Sequence, residues 1–144
     1  PMFAIFGFSS AVAVMTAGAT LVLQERFDAA EALGILERER VTMLHGVPTT
    51  YLLLMREPGF DVPRLKAAGL RAGVVGGSPV GEELVRRIRR WCELHVAYGL
   101  TETGPTVAIT RAGDPDDKRL ATVGRPLPGV EVMAADVVTG ALHG

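Results

Sequence analysis

The order of apolar runs and turn signals predicts an α/β fold, a mostly parallel sheet with flanking helices. Three observations carry that reading. Short apolar runs at 41–47, 70–75 and 94–98 alternate with stretches whose apolar residues recur at helical spacing. Two of the runs close on turn residues, Val47-Pro48 and Gly76-Gly77. Strand, helix, strand, helix, strand in that order favours parallel pairing through right-handed crossovers. With 144 residues, 48% apolar and 22% charged, the chain can enclose one core.

Taken in order, the first 24 residues carry no charge, and about 20 apolar residues are enough to cross a bilayer. Gly7, Ser9, Ser10, Thr16, Gly18 and Thr20 dilute this stretch, and it lacks the positive start of a signal peptide. The reading is therefore a buried small-residue helix, split at Gly18 from a β-rich run at 19–23, with no transmembrane span. Asp28 and Glu31 make a helix start, an N-cap acid followed by a Glu at N3 able to bond back. Ala29, Ala32, Leu33 and Leu36 follow on one face while 37–40 meet water. The run 41–47 reads as a buried strand, and Pro48 suits the first turn of a helix over 49–56. Pro58, Gly59 and Pro63 make 57–64 a loop. The next buried strand, 70–75, ends at the paired glycines. Ser78-Pro79 then opens a helix through Trp91, with Leu84, Val85, Ile88 and Trp91 on one side. Arg86, Arg87, Arg89 and Arg90 take the other side, offset by Glu82, Glu83 and Glu93, which indicates a solvated face rather than a nucleic-acid stripe. A strand at 94–98, another at 106–110, a polar loop at 111–119 and a last strand at 130–134 complete the reading.

A net charge of −1 gives no electrostatic case for nucleic acid or an anionic membrane as the main partner. Cys92 is the one cysteine, so no internal disulfide forms, and no Cys/His spacing suits a metal. A reducing, cytoplasmic setting fits that usage. His45, His95 and His143 show no triad logic; His45 is expected as a satisfied core histidine and His95 as an outward one. Cys92 has no adjacent histidine to activate it as a nucleophile.

In open α/β sheets, ligands bind beyond the carboxyl ends of the strands. Two turns follow such ends: Gly76-Gly77-Ser78-Pro79 and Tyr98-Gly99-Leu100-Thr101-Glu102. Tyr98 offers a π-face for an adenine ring, or is a core tyrosine at a strand end. Gly99 permits a positive φ or close approach of a ligand to the backbone. Thr101 can donate to a phosphate oxygen, or serve as a cap. Glu102 is a hard oxygen ligand for Mg2+, or a solvated acid. The residue types alone support a nucleotide-binding α/β domain.

Together these two turns resemble the acyl-adenylate-forming superfamily: acyl-CoA synthetases, aryl-CoA ligases, luciferases and peptide-synthetase adenylation domains. The likeness extends to Pro1-Met2-Phe3 with Ile5-Phe6-Gly7, to Val47-Pro48-Thr49, and to Val123-Gly124-Arg125-Pro126 with Pro128-Gly129-Val130. The resemblance implies that 1–144 is an internal part of the large AMP-binding domain, without the upstream phosphate loop and its lysine or the small C-terminal domain. It implies an ATP-dependent acid–thiol ligase that converts a carboxylic acid, fatty or aryl, to acyl-AMP and transfers it to CoA, using ATP, Mg2+ and CoA. By the same resemblance Tyr98 stacks adenine, Gly76, Gly77 and Ser78 border it, and Gly99 belongs to the nucleotide wall. Thr101 holds phosphate, Glu102 holds Mg2+, and these two act in catalysis; Phe6, Gly7, Gly104 and Pro105 line the acyl pocket. Alternatives are an enzyme handing its adenylate to a carrier protein, and a non-catalytic nucleotide-binding or interaction module docking through 86–90. Two positions depart from the family pattern. Ala4 stands where a ring often gates the CoA channel, and Val96 where Asn or Gln is common two residues before the tyrosine. The expectation is negligible turnover by this stretch alone and an active full-length enzyme.

Overall fold

The computed structural model describes residues 2–143, with side chains through Leu142; Pro1 of the Pro-x-Phe segment and Gly144 lie outside the described residues. Helix α1, Ile5–Thr16, forms as the small-residue pattern predicts, and Gly18 at φ +66 ends it. Only Ala11 on it is fully buried, so the helix is less enclosed than expected. Residues 19–23 form no strand, contrary to the β-rich reading. Their side chains favour extended backbone, but a strand also needs a partner for its amides and carbonyls, and none lies beside them among the described residues. No helix among the described residues is long and apolar enough to cross a membrane.

Helix α2, Ala29–Arg38, starts as predicted, with the Asp28 carboxylate accepting the Glu31 amide at 2.8 Å. Glu31 does not bond back; its carboxylate accepts from Gln24 Nε2 at 2.7 Å. Strand β1, Met43–Gly46, leads into α3, Pro48–Leu54, with Pro48 in its first turn. The supposed loop contains the start of α4, Val62–Ala68. Asp61 caps it by accepting the Arg64 amide at 2.9 Å, and Pro63 sits in the first turn, where a missing N–H costs nothing. Strand β2, Ala72–Val75, is followed by α5, Glu82–Ile88, which begins later than Ser78-Pro79 suggested. Strand β3, Glu93–Leu100, runs through the tyrosine and turns into β4, Gly104–Ile109. Helix α6, Asp116–Ala121, replaces part of the polar loop read over 111–119. Short strands β5, Arg125–Pro126, β6, Ala134–Ala135, and β7, Leu142–His143, follow; the strand read at 130–134 survives only at its last residue.

The sheet order is β1-β2-β3-β4-β5, and β6-β7 form a separate hairpin. The first three strands are parallel, as predicted; β4 and β5 extend the sheet antiparallel. The register aligns Gly46 with Val75 and Val96, and His45 with Val74 and His95. One sheet face and helices α2 to α5 enclose the core, which includes Leu33, Leu54, Leu65, Val75, Ile88 and Leu94. Trp91 meets the edge of Phe60 at 5.2 Å and tilts against Tyr51 at 5.8 Å. The Tyr51 hydroxyl lies 2.9 Å from the Leu44 carbonyl and 3.1 Å from that of Val74, fastening α3 to β1 and β2. A side chain at Gly73 would collide with that hydroxyl, since a Cβ there would stand 2.7 Å from it.

Candidate functional site

Parallel pairing brings the two turns to the same rim. Because Val75 lies opposite Val96, the next residues, Gly76 and Ala97, are neighbours at the carboxyl ends of β2 and β3. Gly76 is buried there; a Cβ on it would lie 2.9 Å from the Ala97 carbonyl oxygen and 3.3 Å from the Phe6 ring. The twin-glycine bend therefore sits one residue from Tyr98, with α1 closing over it through Phe6. Gly77 takes φ +80, a conformation that residues with side chains rarely adopt. A Cβ on Gly77 would lie 3.4 Å from Val47, so the end of β1 reaches the same rim. Gly77 and Ser78 are exposed.

Tyr98 is 43% exposed, which removes the core-tyrosine alternative. Thr101 and Glu102 occupy the exposed turn between β3 and β4. Thr103, not Thr101, braces that turn, its hydroxyl accepting the Leu100 amide at 3.3 Å. Glu102 enters no ion pair among the described residues, and no group of three metal-ligating side chains occurs there. Gly99 is required for a reason other than positive φ. The register shifts between Tyr98 and Leu100, and a Cβ on Gly99 would run into the Pro105 backbone of β4. Helix α1, which carries Phe6 and Gly7, packs on β4, which begins at Gly104-Pro105. Gly104 takes φ +94 with open space around it. The four residues read as an acyl pocket thus belong to two touching elements.

Thr110 is a positioning residue that the sequence reading passed over. It is 1% exposed, and its hydroxyl accepts the Val96 amide at 2.8 Å. Its own amide donates to the Val96 carbonyl at 3.0 Å, and its carbonyl meets His95 Nδ1 at 2.9 Å. These bonds hold β3 two residues before Tyr98. A threonine ending an apolar run was the only local sign. Val96 packs into the core, so this departure from the family pattern is a packing residue rather than part of the rim.

His45 corrects another expectation: both ring nitrogens are buried without a partner among the described residues, and burial lowers its pKa. His95 lies on the face opposite Leu94 and Val96 but is half-buried. Burial pushes the Cys92 thiol up to about 12, which agrees with its exclusion as a nucleophile. Ala4 precedes α1 in extended backbone and gives no side-chain cap.

Comparison with known proteins gives the same picture. The family profile described as AMP-binding enzyme matches residues 1–143. The acyl-CoA ligase sidI of Aspergillus fumigatus is 34% identical over 144 residues, covering 94% of this chain and 24% of that protein. A benzoate CoA ligase from Burkholderia xenovorans superposes with TM-score 0.85 at 27% identity, covering 99% of this chain and 29% of that one. The O-succinylbenzoate coenzyme A synthetase MenE of Bacillus subtilis, solved with ATP and magnesium ion, gives 0.78 at 26% identity over 100% of this chain and 29% of that one. The chain spans 21–25% of the length of five curated relatives that it matches. With the glycine bend and the tyrosine strand meeting at one rim and the profile running along almost every residue, the chain belongs to the AMP-binding enzymes, the acyl-adenylate-forming superfamily.

Proposed function

We propose that the full-length protein activates a carboxylic acid, fatty or aryl, with ATP and transfers the acyl group to CoA. The observation that carries this reading is the contact of Gly76 with Ala97 and Phe6, one residue from the exposed ring of Tyr98. A carboxylate oxygen attacks the α-phosphorus, the bond to pyrophosphate breaks, and acyl-AMP forms. The CoA thiol then loses its proton and attacks the acyl carbon, and AMP leaves. Tyr98 stacks adenine, and Gly76, Gly77 and Ser78 border it, with no side chain at 76 or 77 to fill the space. Gly99 lets β4 close behind the tyrosine, and Thr101 presents its exposed hydroxyl to phosphate. Phe6, Gly7, Gly104 and Pro105 bound the acyl group.

Glu102 is the residue that would hold Mg2+. One exposed carboxylate fits a cation that takes one or two carboxylates and completes its shell with phosphate oxygens and water. Bound there, the ion would offset the negative charge of the phosphates. Catalysis on this reading is positioning and charge neutralisation, with no enzyme nucleophile. That the similar proteins include an acyl-CoA ligase and a benzoate CoA ligase supports the thiol acceptor. On the same reading the chain is part of the large AMP-binding domain of a cytoplasmic enzyme. The lysine-bearing phosphate loop and the small C-terminal domain then lie elsewhere in the full-length protein.

ATP–pyrophosphate exchange by the full-length protein over a panel of fatty and aryl acids tests the adenylation step. Glu102→Ala is expected to lower exchange by roughly 10²-fold, the scale of losing one charge-stabilising group, with its melting temperature unchanged. Undiminished exchange with undiminished magnesium dependence removes Glu102 from this role. Acyl-CoA formed when CoA is added supports the thiol step; free acyl-AMP with CoA present points to a carrier-protein acceptor instead.

A further inference from the structure

Regular pairing between β3 and β4 is short beside Tyr98. Ala97 faces Ile109 and Tyr98 faces Ala108, and the register then shifts before Leu100. Carried back one step, the same register sets Val96 against Thr110. In an antiparallel ladder, alternate facing pairs exchange both backbone bonds. The Thr110 amide duly donates to the Val96 carbonyl at 3.0 Å. The return bond is made differently: the Val96 amide donates to the Thr110 hydroxyl at 2.8 Å in place of the Thr110 carbonyl. That carbonyl is taken by His95 Nδ1 at 2.9 Å, and since a carbonyl only accepts, Nδ1 carries the proton. By the same alternation, the next pair to exchange bonds is Tyr98 with Ala108. Tyr98 therefore stands between a bond made by one hydroxyl and the register shift at Gly99. Its own hydroxyl makes no hydrogen bond among the described residues, and the residue is 43% exposed. The direction of the ring is thus left to the β3 backbone. Thr110 is 1% exposed, so a Val96 amide deprived of the hydroxyl has no solvent to turn to.

We propose that Thr110 does more than brace β3: through the Val96 amide it sets the Tyr98 ring for the adenine base of ATP. This rests on the reading of Tyr98 as the stacking residue. Without the hydroxyl, β3 shifts to find Val96 another acceptor, and Tyr98 turns with it. Gly104 and Pro105 lie beyond the register shift, so the loss falls on ATP rather than on the acid.

The test uses the full-length protein, with ATP binding measured by equilibrium dialysis and KM values by pyrophosphate exchange. Thr110→Val keeps the shape and removes the hydroxyl; Thr110→Ser restores it. Thr110→Val is expected to raise the dissociation constant and KM for ATP at least about 5-fold, with KM for the acid and both Thr110→Ser values within about twofold of wild type. A threonine that only supports the fold would lower the rate with the folded fraction and leave these constants unchanged. In a Tyr98→Ala background, Thr110→Val should weaken ATP binding by less than about twofold more, because the two act through one contact. Should Thr110→Val not fold, His95→Leu, at a half-buried position on the same clamp, takes its place under the same criteria. Equal ATP constants in wild type and variant, full additivity with Tyr98→Ala, or no restoration by serine overturns the proposal. If the variants weaken ATP binding as expected but no acid supports exchange in the wild type, the positioning role stands and the ligase reading fails. A wild type that does not bind ATP overturns both.

Discussion

Tyr51 and Tyr98 differ in what their surroundings ask of the same side chain. Tyr51 has no exposed surface and brings its hydroxyl between two strand carbonyls, above a position where only glycine fits. Tyr51→Phe keeps the ring but leaves those carbonyls without the donor, and is expected to cost about 1–2 kcal/mol. Urea denaturation of variant and wild type measures this; a loss below a few tenths of a kcal/mol would show that the hydroxyl is dispensable. Tyr98 could be singled out as a candidate ligand-facing residue because its motif is contiguous, and the structure leaves it exposed. Tyr51 was read only as a position in the helix over 49–56, since its partners are Leu44 and Val74 and nothing near it in the chain points to them. Thr110 escaped notice for the same reason.

At the scale of elements, the glycines separate local from tertiary requirements. Gly99 is confined by the neighbouring strand, so Gly99→Ala must push β4 away from β3 and is expected to cost about 1–3 kcal/mol, the range for overpacking. Gly34 lies exposed inside α2 with nothing within 4 Å of an added Cβ. Gly34→Ala should therefore stabilise by about 0.5–1 kcal/mol through helix propensity alone. Opposite shifts of the two urea midpoints are the expected outcome; a neutral Gly99→Ala would contradict the cross-strand contact. Helix starts with a local cap, such as Asp28 for α2, were readable in sequence. The helix beginning after Asp61 was missed because Pro58, Gly59 and Pro63 signalled a loop, although a proline in the first helical turn is compatible with both. Strand pairing was the least readable, and the β-rich run at 19–23 shows why: propensity provides an extended chain but no neighbour.

Across the whole molecule, the unpaired His45 ties stability to pH. Its pKa is lowered by burial from the ordinary 6.5, so the folded state prefers the neutral ring and the unfolded state binds the proton more readily. That preference stabilises the fold fully above 6.5 and is lost as pH falls below it. Asp116 and Asp136, held below the ordinary 3.8 by Arg89 and by Thr139 bonds respectively, act only in a more acidic window. Melting temperature should therefore decline as pH falls below 6.5, and His45→Leu should flatten that decline; an identical pH profile in the variant would remove His45 as the cause. The sequence by itself determined the α/β class, the three parallel strands and the adenylate-family motif, because periodicity, caps and contiguous motifs are written over a few neighbouring residues. The tertiary structure decided that β4 and β5 turn antiparallel, that 19–23 stays unpaired, and that Phe6, Gly76 and Ala97 share one rim. Those outcomes depend on contacts between residues far apart in the chain, where hydrogen-bond partners and available space are set by the packed whole.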